Sequence, residues 1–398
     1  MGETVRAAVM VRPGKIEIQE FPFPTLEDGA ILLKVEMCGI CGTDKHTWRG
    51  EMRQYAGTRF ESVTPFPIIP GHEIIGTIAE INDHHALRLD FNGEPLAVGD
   101  RVALCPDVVC GTCYGCRHSF AYPRCENLRG YGNAFTSARP PHLFGGWAEY
   151  MYILPNAFVY KVPDSLPTRV AVMVELMAVA YNLDKAKEFY HLSGDGFAAA
   201  DTVVIQGVGP MGLTHVIKAR MLGAGDIIVT DISDYRLGLA REFGADYSLN
   251  VSRTSIQERI EFVRERTRGR GADVVVECVG IAQAVPEGLE MLRTGGTYIE
   301  AGNFVETGEV LLSPHRHLCA KNVRLIGITN HPFTGYTPSM KLMEKYRHSF
   351  PFERFVTHEY PLAHTEQALL KSMQLDCMKV VVVPGLEERE ATAPTEVL

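Results

Sequence analysis

The chain has 398 residues, of which 46% are hydrophobic and 22% charged, a composition typical of globular proteins and a length that favours two domains. Its 48 acidic and 39 basic residues give a formal net charge of −9, which argues against non-specific binding to a nucleic-acid backbone. No apolar run reaches membrane-spanning length, and the first residues lack the apolar core of a signal peptide. We therefore expect a cytoplasmic protein whose partners include neither nucleic acid nor membrane.

The first part of the chain, to about residue 170, predicts a β-rich domain. Short runs of alternating apolar residues, such as 31–35 and 76–81, are broken by Gly and Pro. This pattern is typical of strands joined by loops.

Three segments in this part of the chain and just after it carry residue types that bind metals. They are 38–46, 71–73 and Glu175, which stands in an apolar run. Burial of an unpaired carboxylate is costly, so Glu175 needs a partner, and a metal would serve. Each segment also has an ordinary interpretation: a core cysteine, a capping histidine or a salt-bridged glutamate. No spacing rule joins the three.

Four cysteines lie close together in sequence: Cys110, Cys113, Cys116 and Cys125. In a reducing compartment, such clustering indicates metal binding rather than disulfides. Four thiolates close a tetrahedral zinc site with no open position, which is typical of a structural site. The alternative is four buried thiols without metal.

From about residue 180 to 330, strand-like and helical stretches alternate, which predicts a parallel sheet built from βαβ units. The predicted strands are 203–207, 227–231, 273–279, 296–302 and 323–328. We predict a catalytic domain formed by 1–178 and 332–398, with a metal lobe at about 105–130, and a nucleotide-binding domain at 179–331.

The first of these strands leads into a G-x-G-x-x-G motif, 207–212, with Pro210 and Met211 between its last two glycines. Gly207 would make the turn, Gly209 would admit a pyrophosphate, and Gly212 would let the helix pack closely. The next strand ends at Asp231, where a carboxylate accepts hydrogen bonds from a ribose 2′-hydroxyl and repels a 2′-phosphate. The pattern therefore favours NAD over NADP, although Arg236 is close enough in sequence to meet a phosphate.

Five motifs occur in a fixed order: Cys41-Gly42-Thr43-Asp44, Gly71-His72-Glu73, Gly99-Asp100-Arg101-Val102, the cysteine cluster and the glycine motif. In this combination the chain resembles the zinc-containing medium-chain alcohol dehydrogenase family, particularly its sorbitol, polyol and threonine dehydrogenase branch. The resemblance spans about residues 5–385. It implies a GroES-like β-rich catalytic domain and a Rossmann domain with a doubly wound parallel sheet.

The resemblance also implies the roles of individual residues. Cys41, His72 and Glu175 match the ligands of a catalytic zinc, with Glu73 as a supporting residue or alternate ligand, and the four clustered cysteines match a structural zinc. Two zinc ions per chain are therefore expected. Thr43 and His46 match a relay that removes the proton of the alcohol. Further cofactor contacts are expected at Ile232, Arg236, Cys278, Val279, Gly280, Gly302 and Asn303.

The chain departs from the family pattern at three places. The last gap of the cysteine cluster is eight residues rather than seven, segments 47–69 and 83–97 are longer than usual, and the third catalytic ligand is Glu175 rather than Cys. A carboxylate in that position makes the zinc a harder Lewis acid and fits the polyol branch.

The sequence thus predicts an NAD-dependent zinc dehydrogenase that oxidises a secondary alcohol, polyol or cyclitol to the ketone. The small-molecule alcohol or ketone is its expected partner, together with further copies of itself in a homodimer or homotetramer, and the resemblance implies that the copies pair through the strand at 323–328. Two alternatives are a zinc-free, NADPH-dependent reductase of the quinone oxidoreductase type and a non-enzymatic protein that binds zinc and nucleotide.

Overall fold

A computed structural model describes residues 4–58, 60–85, 87–118, 125–187 and 197–387. The last eleven residues of the predicted catalytic domain and part of the metal lobe, 119–124, lie outside these ranges. The chain divides into two compact units. Unit 1 comprises Met1–Glu175, Tyr336–Lys345 and Phe352–Leu398, and unit 2 comprises Leu176–Gly335 and Tyr346–Pro351.

The N-terminal part of unit 1 contains eleven strands among the described residues: β1 (Thr4–Arg12), β2 (Lys15–Pro22), β3 (Ile31–Gly39), β4 (Arg53–Gln54), β5 (Ser62–Val63), β6 (Glu73–Ile81), β7 (Arg101–Leu104), β8 (Asp107–Val108), β9 (Arg129–Gly130), β10 (Tyr150–Ile153) and β11 (Val159–Lys161). Its helices are short: α1 (Gly42–Trp48), α2 (Tyr114–His118), α3 (Thr168–Ala171) and α4 (Val174–Ala180), the last of which continues into unit 2.

Unit 2 alternates strands and helices: β12 (Val203–Gln206), α5 (Pro210–Met221), β13 (Ile227–Asp231), α6 (Asp234–Glu242), β14 (Tyr247–Asn250), α7 (Ile256–Arg266), β15 (Ala272–Glu277), α8 (Ala284–Met291), β16 (Leu292–Glu300) and β17 (Arg324–Gly327). The chain then returns to unit 1 with α9 (Tyr336–Lys345), β18 (Val356–Pro361), α10 (Thr365–Ser372) and β19 (Lys379–Val383).

The main sheet of unit 1 has seven strands in the order β11-β7-β6-β3-β19-β18, with β10 also paired to β3. Strand β3 lies in the middle of this sheet, and most of its side chains are therefore buried. Its antiparallel register with β6 places Gly39 opposite Glu73, and its pairing with β19 places Gly39 opposite Val381. The end of β3, the start of β6 and the middle of β19 therefore lie side by side just before Cys41.

The sheet of unit 2 has six parallel strands in the order β14-β13-β12-β15-β16-β17. Numbered within the unit, this order is 3-2-1-4-5-6, which is the doubly wound arrangement that binds dinucleotides at its switch point. Buried Val and Ile fill its central strands because helices cover a parallel sheet on both faces.

The predicted strands of this region are all present, and the predicted doubly wound sheet is confirmed. The sequence analysis missed β14, because Tyr-Ser-Leu-Asn is short, polar and only half-buried. Within the described ranges, no helix is long and apolar enough to cross a membrane.

Candidate functional site

The turn between β3 and α1 carries the first predicted ligand. Cys41 immediately precedes α1, and its backbone N–H donates to Asp44 Oδ2 at 2.8 Å. An acidic side chain three residues into a helix can close the first turn in this way. The turn leaves Cys41 Sγ 4.0 Å from Thr43 Oγ1, so the thiol and the hydroxyl lie side by side.

Asp44 also joins this turn to the second ligand segment. Its other oxygen, Oδ1, accepts a hydrogen bond from the Gly71 backbone N–H at 3.4 Å and lies 3.9 Å from His72 Nδ1. Gly71 has φ +90°, and a Cβ there would lie 2.6 Å from Trp147. Only glycine fits this turn, which delivers His72 to the start of β6.

His72 is buried, and its Nδ1 atom forms no hydrogen bond within the described part of the chain. Burial opposes the charged imidazolium, but Cys41, Asp44 and Glu175 together raise the pKa of His72 well above its ordinary value. Acidic groups from two separate segments, the turn 41–44 and Glu175, therefore lie near this imidazole, and a cation would balance them.

Glu175 reaches this place from the first turn of α4. It is 7% exposed and follows the buried Met173 and Val174. Cys41 and Glu175 both lie near enough to the His72 imidazole to raise its pKa, and their assignment with His72 as zinc ligands stays a prediction. A thiolate, an imidazole and a carboxylate form a donor set that zinc accepts, and the hydrogen-bonding atom of His72 that lacks a partner supports the fit.

The four-cysteine cluster forms a second metal-binding constellation. The sulfurs of Cys110, Cys113, Cys116 and Cys125 all lie within 4.8 Å of one another. Cys116 Sγ is 3.8 Å from Cys110 Sγ and 3.4 Å from Cys113 Sγ. A tetrahedral zinc with bonds of about 2.3 Å keeps its sulfurs about 3.8 Å apart. The sulfur positions therefore fit a closed zinc site.

Hydrogen bonds to the Cys110 sulfur favour its thiolate form, which is the form that binds a metal. The Thr112 backbone and hydroxyl groups and the Asn127 amide lower the pKa of Cys110 to about 5, and the side-chain contacts are both 3.6 Å. Burial and the neighbouring thiol of Cys113 raise the pKa of Cys116 to about 12. Without a cation the four groups cannot all ionise, because thiolates in contact repel one another.

The glycine motif of unit 2 forms a phosphate-sized cradle. Gly207 has φ +81°, and a Cβ at Gly212 would lie 1.9 Å from the Gly207 carbonyl oxygen. Gly209 precedes α5, Pro210 and Met211 form its first turn, and a Cβ at Gly209 would meet only Arg236 Nη1, at 3.9 Å. The N–H groups of a helix start thus face open space, which fits a dinucleotide phosphate.

Asp231 ends β13 directly beside this cradle. Its Oδ2 accepts from the Val208 N–H and its Oδ1 from the Ser233 N–H, both at 2.9 Å. Each carboxylate oxygen has a second lone pair, so the side chain can still accept from a ribose hydroxyl. Ile232 is about half exposed next to it, and Arg236 follows on α6.

The remaining predicted cofactor residues lie at the carboxyl ends of the next two strands. Cys278, Val279 and Gly280 follow β15, and Gly302 and Asn303 follow β16. The carboxyl end of a doubly wound sheet is where such folds bind ligands.

Comparisons with known proteins agree with this geometry. The family model for an alcohol dehydrogenase GroES-like domain matches residues 27–164, and the model for a zinc-binding dehydrogenase matches residues 210–345. The 5-exo-hydroxycamphor dehydrogenase of Pseudomonas putida is 33% identical over 367 residues, which cover 92% of this chain and 94% of that protein. The chain belongs to the zinc-binding alcohol dehydrogenase family.

Two further relatives support the assignment. Erythritol/L-threitol dehydrogenase of Mycolicibacterium smegmatis is 28% identical over 388 residues, with 96% of this chain and 98% of that protein covered. The crystal structure of an alcohol dehydrogenase from Thermotoga maritima has a TM-score of 0.85 and 33% identity, and covers 96% of this chain and 100% of that one. The predicted family, the GroES-like and Rossmann fold class and the oxidoreductase class are confirmed.

This dehydrogenase carries a buried ion pair that the sequence analysis missed. Lys379 Nζ lies 2.7 and 2.6 Å from the two carboxylate oxygens of Glu73 and also donates to the Ile40 carbonyl oxygen. Both side chains are almost fully buried, and Gly39 leaves room for the carboxylate. The signal was available: Lys379 opens an apolar strand, where a charge needs a partner.

Both oxygens of Glu73 are thus engaged by an ammonium group. Thr43 and His46 stand three residues apart on α1, so they share one helix face. His46 Nδ1 contacts the carboxylate of Glu51, a partner that no sequence motif indicated.

Proposed function

We propose that this family member oxidises a secondary alcohol, a polyol or a cyclitol to the corresponding ketone with NAD as the hydride acceptor. The observation that carries the proposal is the proximity of Cys41 and Glu175 to the buried His72 imidazole, whose pKa they raise. The names of two relatives, a hydroxycamphor and an erythritol/threitol dehydrogenase, support a secondary alcohol or polyol.

A zinc ion held by Cys41, His72 and Glu175 would supply Lewis-acid chemistry that makes an alcohol hydroxyl acidic near neutral pH. Asp44 keeps two of these ligands in place, because it bonds to the backbone of both ligand turns. Glu73, the residue after His72, compensates the charge of Lys379. A second zinc ion, held by the four clustered cysteines, would stabilise the lobe.

Thr43 and His46 are proposed to carry the alcohol proton away. Thr43 Oγ1 lies beside the ligand sulfur, so it can accept a hydrogen bond from a hydroxyl bound there. His46 is partly exposed and contacts Glu51, so a proton reaching its imidazole can pass to solvent.

The preference for NAD is argued from Asp231 at the end of β13. A carboxylate there accepts from ribose hydroxyls and repels a 2′-phosphate. Arg236 Nη1 points towards the glycine turn, where it could favour NADP instead. Reduction of NAD and of NADP by one secondary alcohol, with Asp231→Ser beside the wild type, separates these possibilities.

We expect the wild type to use NAD and Asp231→Ser to lose roughly 1.5–3 kcal/mol of NAD discrimination, the range of a hydrogen bond to a charged group. Wild-type preference for NADP would contradict the proposal and make Arg236 the residue that selects the cofactor. A panel of polyols, cyclitols and simple secondary alcohols then identifies the substrate class.

We also propose a cytoplasmic homo-oligomer that pairs through β17. This strand is an edge of the unit 2 sheet, and Leu325 on it is 48% exposed. An apolar edge strand invites pairing with a second copy. Light scattering should give a multiple of the 44.1 kDa chain mass, and a monomer at micromolar concentration would contradict the assembly.

The two alternative functions are less well supported. A zinc-free reductase leaves the three-ligand convergence without purpose, and a non-enzymatic protein leaves Thr43 beside Cys41 without purpose. Zinc content and alcohol-dependent NAD reduction distinguish all three.

A further inference from the structure

Two carboxyl groups face each other at the carboxyl end of the unit 2 sheet. Glu277 is the last residue of β15 and Glu300 the last residue of β16, and the parallel register pairs them directly. Glu277 is completely buried. Within the described residues, neither side chain forms an ion pair with Lys or Arg.

Each carboxyl group instead holds the turn that follows its own strand. Glu277 Oε1 accepts from the backbone N–H groups of Val279, at 2.6 Å, and Gly280, at 2.9 Å. Glu300 Oε1 accepts from the backbone N–H groups of Gly302, at 3.2 Å, and Asn303, at 3.0 Å.

The Asn303 amide links the two turns. Its Nδ2 donates to Glu300 Oε1 at 3.0 Å and to Glu277 Oε2 at 3.3 Å. A Cβ at Gly302 would lie 2.2 Å from Glu277 Oε2 and 2.4 Å from the Gly280 nitrogen. The turns therefore touch, and their contact depends on the two carboxyl groups staying together.

Two neighbouring buried carboxyl groups cannot both ionise without a cost in free energy, because their charges repel each other. Burial, and then Glu300, raise the pKa of Glu277 to about 8. Glu300 contributes to this shift both through its charge and through a side-chain hydrogen bond with Glu277.

The groups around the pair, within the described ranges, do not supply a compensating positive charge. On β15, burial raises the pKa of the Cys278 thiol, and on α5 it lowers the pKa of His215 to about 4. On β16, burial raises the pKa of Tyr298. On α8, Glu287 is paired with Arg259 at 2.7 Å, and Gln206 on β12 is uncharged.

We propose that Glu277 and Glu300 are positioning residues that hold one proton between them and thereby keep the turns 278–280 and 301–303 in the conformation that receives the nicotinamide half of the dinucleotide. This inference rests on the proposed NAD-dependent function. Asp231 marks the adenosine half on β13, so the other mononucleotide half falls to β15 and β16.

The proton makes cofactor binding sensitive to pH. Below about pH 8 Glu277 keeps its proton, and the two carboxyl groups stay together with Asn303 between them. Above that pH Glu277 ionises, and repulsion between the two carboxyl groups separates the turns. Because one proton is involved, NADH affinity should fall by up to about tenfold per pH unit.

The test measures NADH binding by nicotinamide fluorescence between pH 6.5 and 9.5, independently of turnover. Glu300→Gln keeps an oxygen for the Gly302 and Asn303 N–H groups and places a permanent N–H donor towards Glu277. We expect the wild-type Kd to rise above pH 8 and the Glu300→Gln Kd to stay nearly constant. Glu306→Gln, an exposed control close by, should follow the wild type.

Thermal midpoints without NADH give a second measurement. A carboxyl group whose pKa is raised on folding stabilises the protein at low pH and loses that contribution as pH rises towards its folded pKa. The wild-type midpoint should therefore fall between about pH 5 and 8 by more than that of Glu300→Gln. If Glu300→Gln does not fold, Glu277→Gln serves the same purpose.

Parallel pH profiles for the wild type and the Gln variants would overturn the inference, as would a wild-type Kd that is constant through pH 8. If the wild type binds no NADH at any pH, the proposed function fails instead, and the thermal midpoints still decide whether the pair holds a proton.

Discussion

The two metal-binding constellations of unit 1 are built in opposite ways. The cysteine lobe draws all its ligands from 110–125, and local backbone and side-chain groups orient them. The three-ligand site draws Cys41, His72 and Glu175 from a strand end, a glycine turn and a helix. Within the described chain, only the lobe brings all its ligand atoms to within 4.8 Å.

This difference indicates what each metal does for the protein. The described part of the lobe is mostly exposed and has little apolar core of its own, so a metal bound there would hold its chain segments together. The three-ligand site is buried among strands that pack without metal, so the fold can form first and bind zinc afterwards. Removing a ligand should therefore affect stability in one place and chemistry in the other.

The largest effect is expected for Cys41→Ser. Losing this thiolate should weaken zinc binding and lower kcat by at least the order of 10²–10³, the effect of removing one electrostatic stabiliser of a reacting oxygen. The thermal midpoint and NADH binding should change little. Elemental analysis should fall from two zinc ions per chain to about one, and Cys319→Ser, an exposed cysteine, is the control. Unchanged turnover would exclude Cys41 as a ligand.

Cys113→Ser should give the opposite result. With one thiolate missing, the lobe loses its metal and the protein loses several kcal/mol of stability. The thermal midpoint should fall by roughly 5 °C or more, since about 2–4 °C correspond to each kcal/mol in domains of this size. The residual folded protein should still bind NADH. If Cys113→Ser abolishes turnover while the thermal midpoint is unchanged, the cysteine lobe serves the chemistry and the proposed division between the two metal-binding constellations is wrong.

Sequence reasoning reached these two sites by different routes. Spacing alone predicted the cysteine lobe, since the four ligands and the groups that orient them lie within one short segment. It could not join Cys41, His72 and Glu175, because their proximity depends on strand register; only the ordered motifs of a family supplied it. Asp44 belongs to one of the five motifs, but the sequence did not predict a role for it. Its hydrogen bonds to two separate turns depend on the folded structure.

The parallel sheet was more predictable than the site. Its strands follow from buried Val and Ile runs, and its glycine turn follows from steric demands that only Gly207 and Gly212 meet. The Glu277 and Glu300 pair was not predicted, because each lies at the end of an ordinary apolar strand and only the register brings them together.

Glu175 and Glu73 provide an intermediate test of the three-ligand site. Glu175→Ala should resemble Cys41→Ser in zinc content and turnover. Glu73→Gln retains a hydrogen bond to Lys379 and should lower activity by only about 10–100-fold, as removal of a group that supports a ligand does. Zinc content of both variants decides the assignment. Loss of zinc in Glu73→Gln but not in Glu175→Ala would make Glu73 the third ligand.

The smallest effect is expected from the groups that surround the lobe sulfurs. Asn127 Nδ2 donates to Cys110 Sγ at 3.6 Å, and this contact helps to lower the pKa of the thiol. Asn127→Ala should therefore raise the pKa of Cys110 and weaken zinc binding in the lobe by about tenfold, the lower end of the range for such partners. Because zinc competes with protons for the sulfur, the loss should grow as pH falls towards 6.

Competition with a zinc chelator at pH 6 and pH 8 measures this effect, and Thr112→Val, which removes the hydroxyl donor to the same sulfur, provides an independent second variant. Turnover at saturating zinc should match the wild type for both variants, since neither touches Cys41, His72 or Glu175. If either variant lowers kcat with both zinc ions bound, the lobe contributes to the chemistry as well as to stability, and the separation between the two metal-binding constellations does not hold.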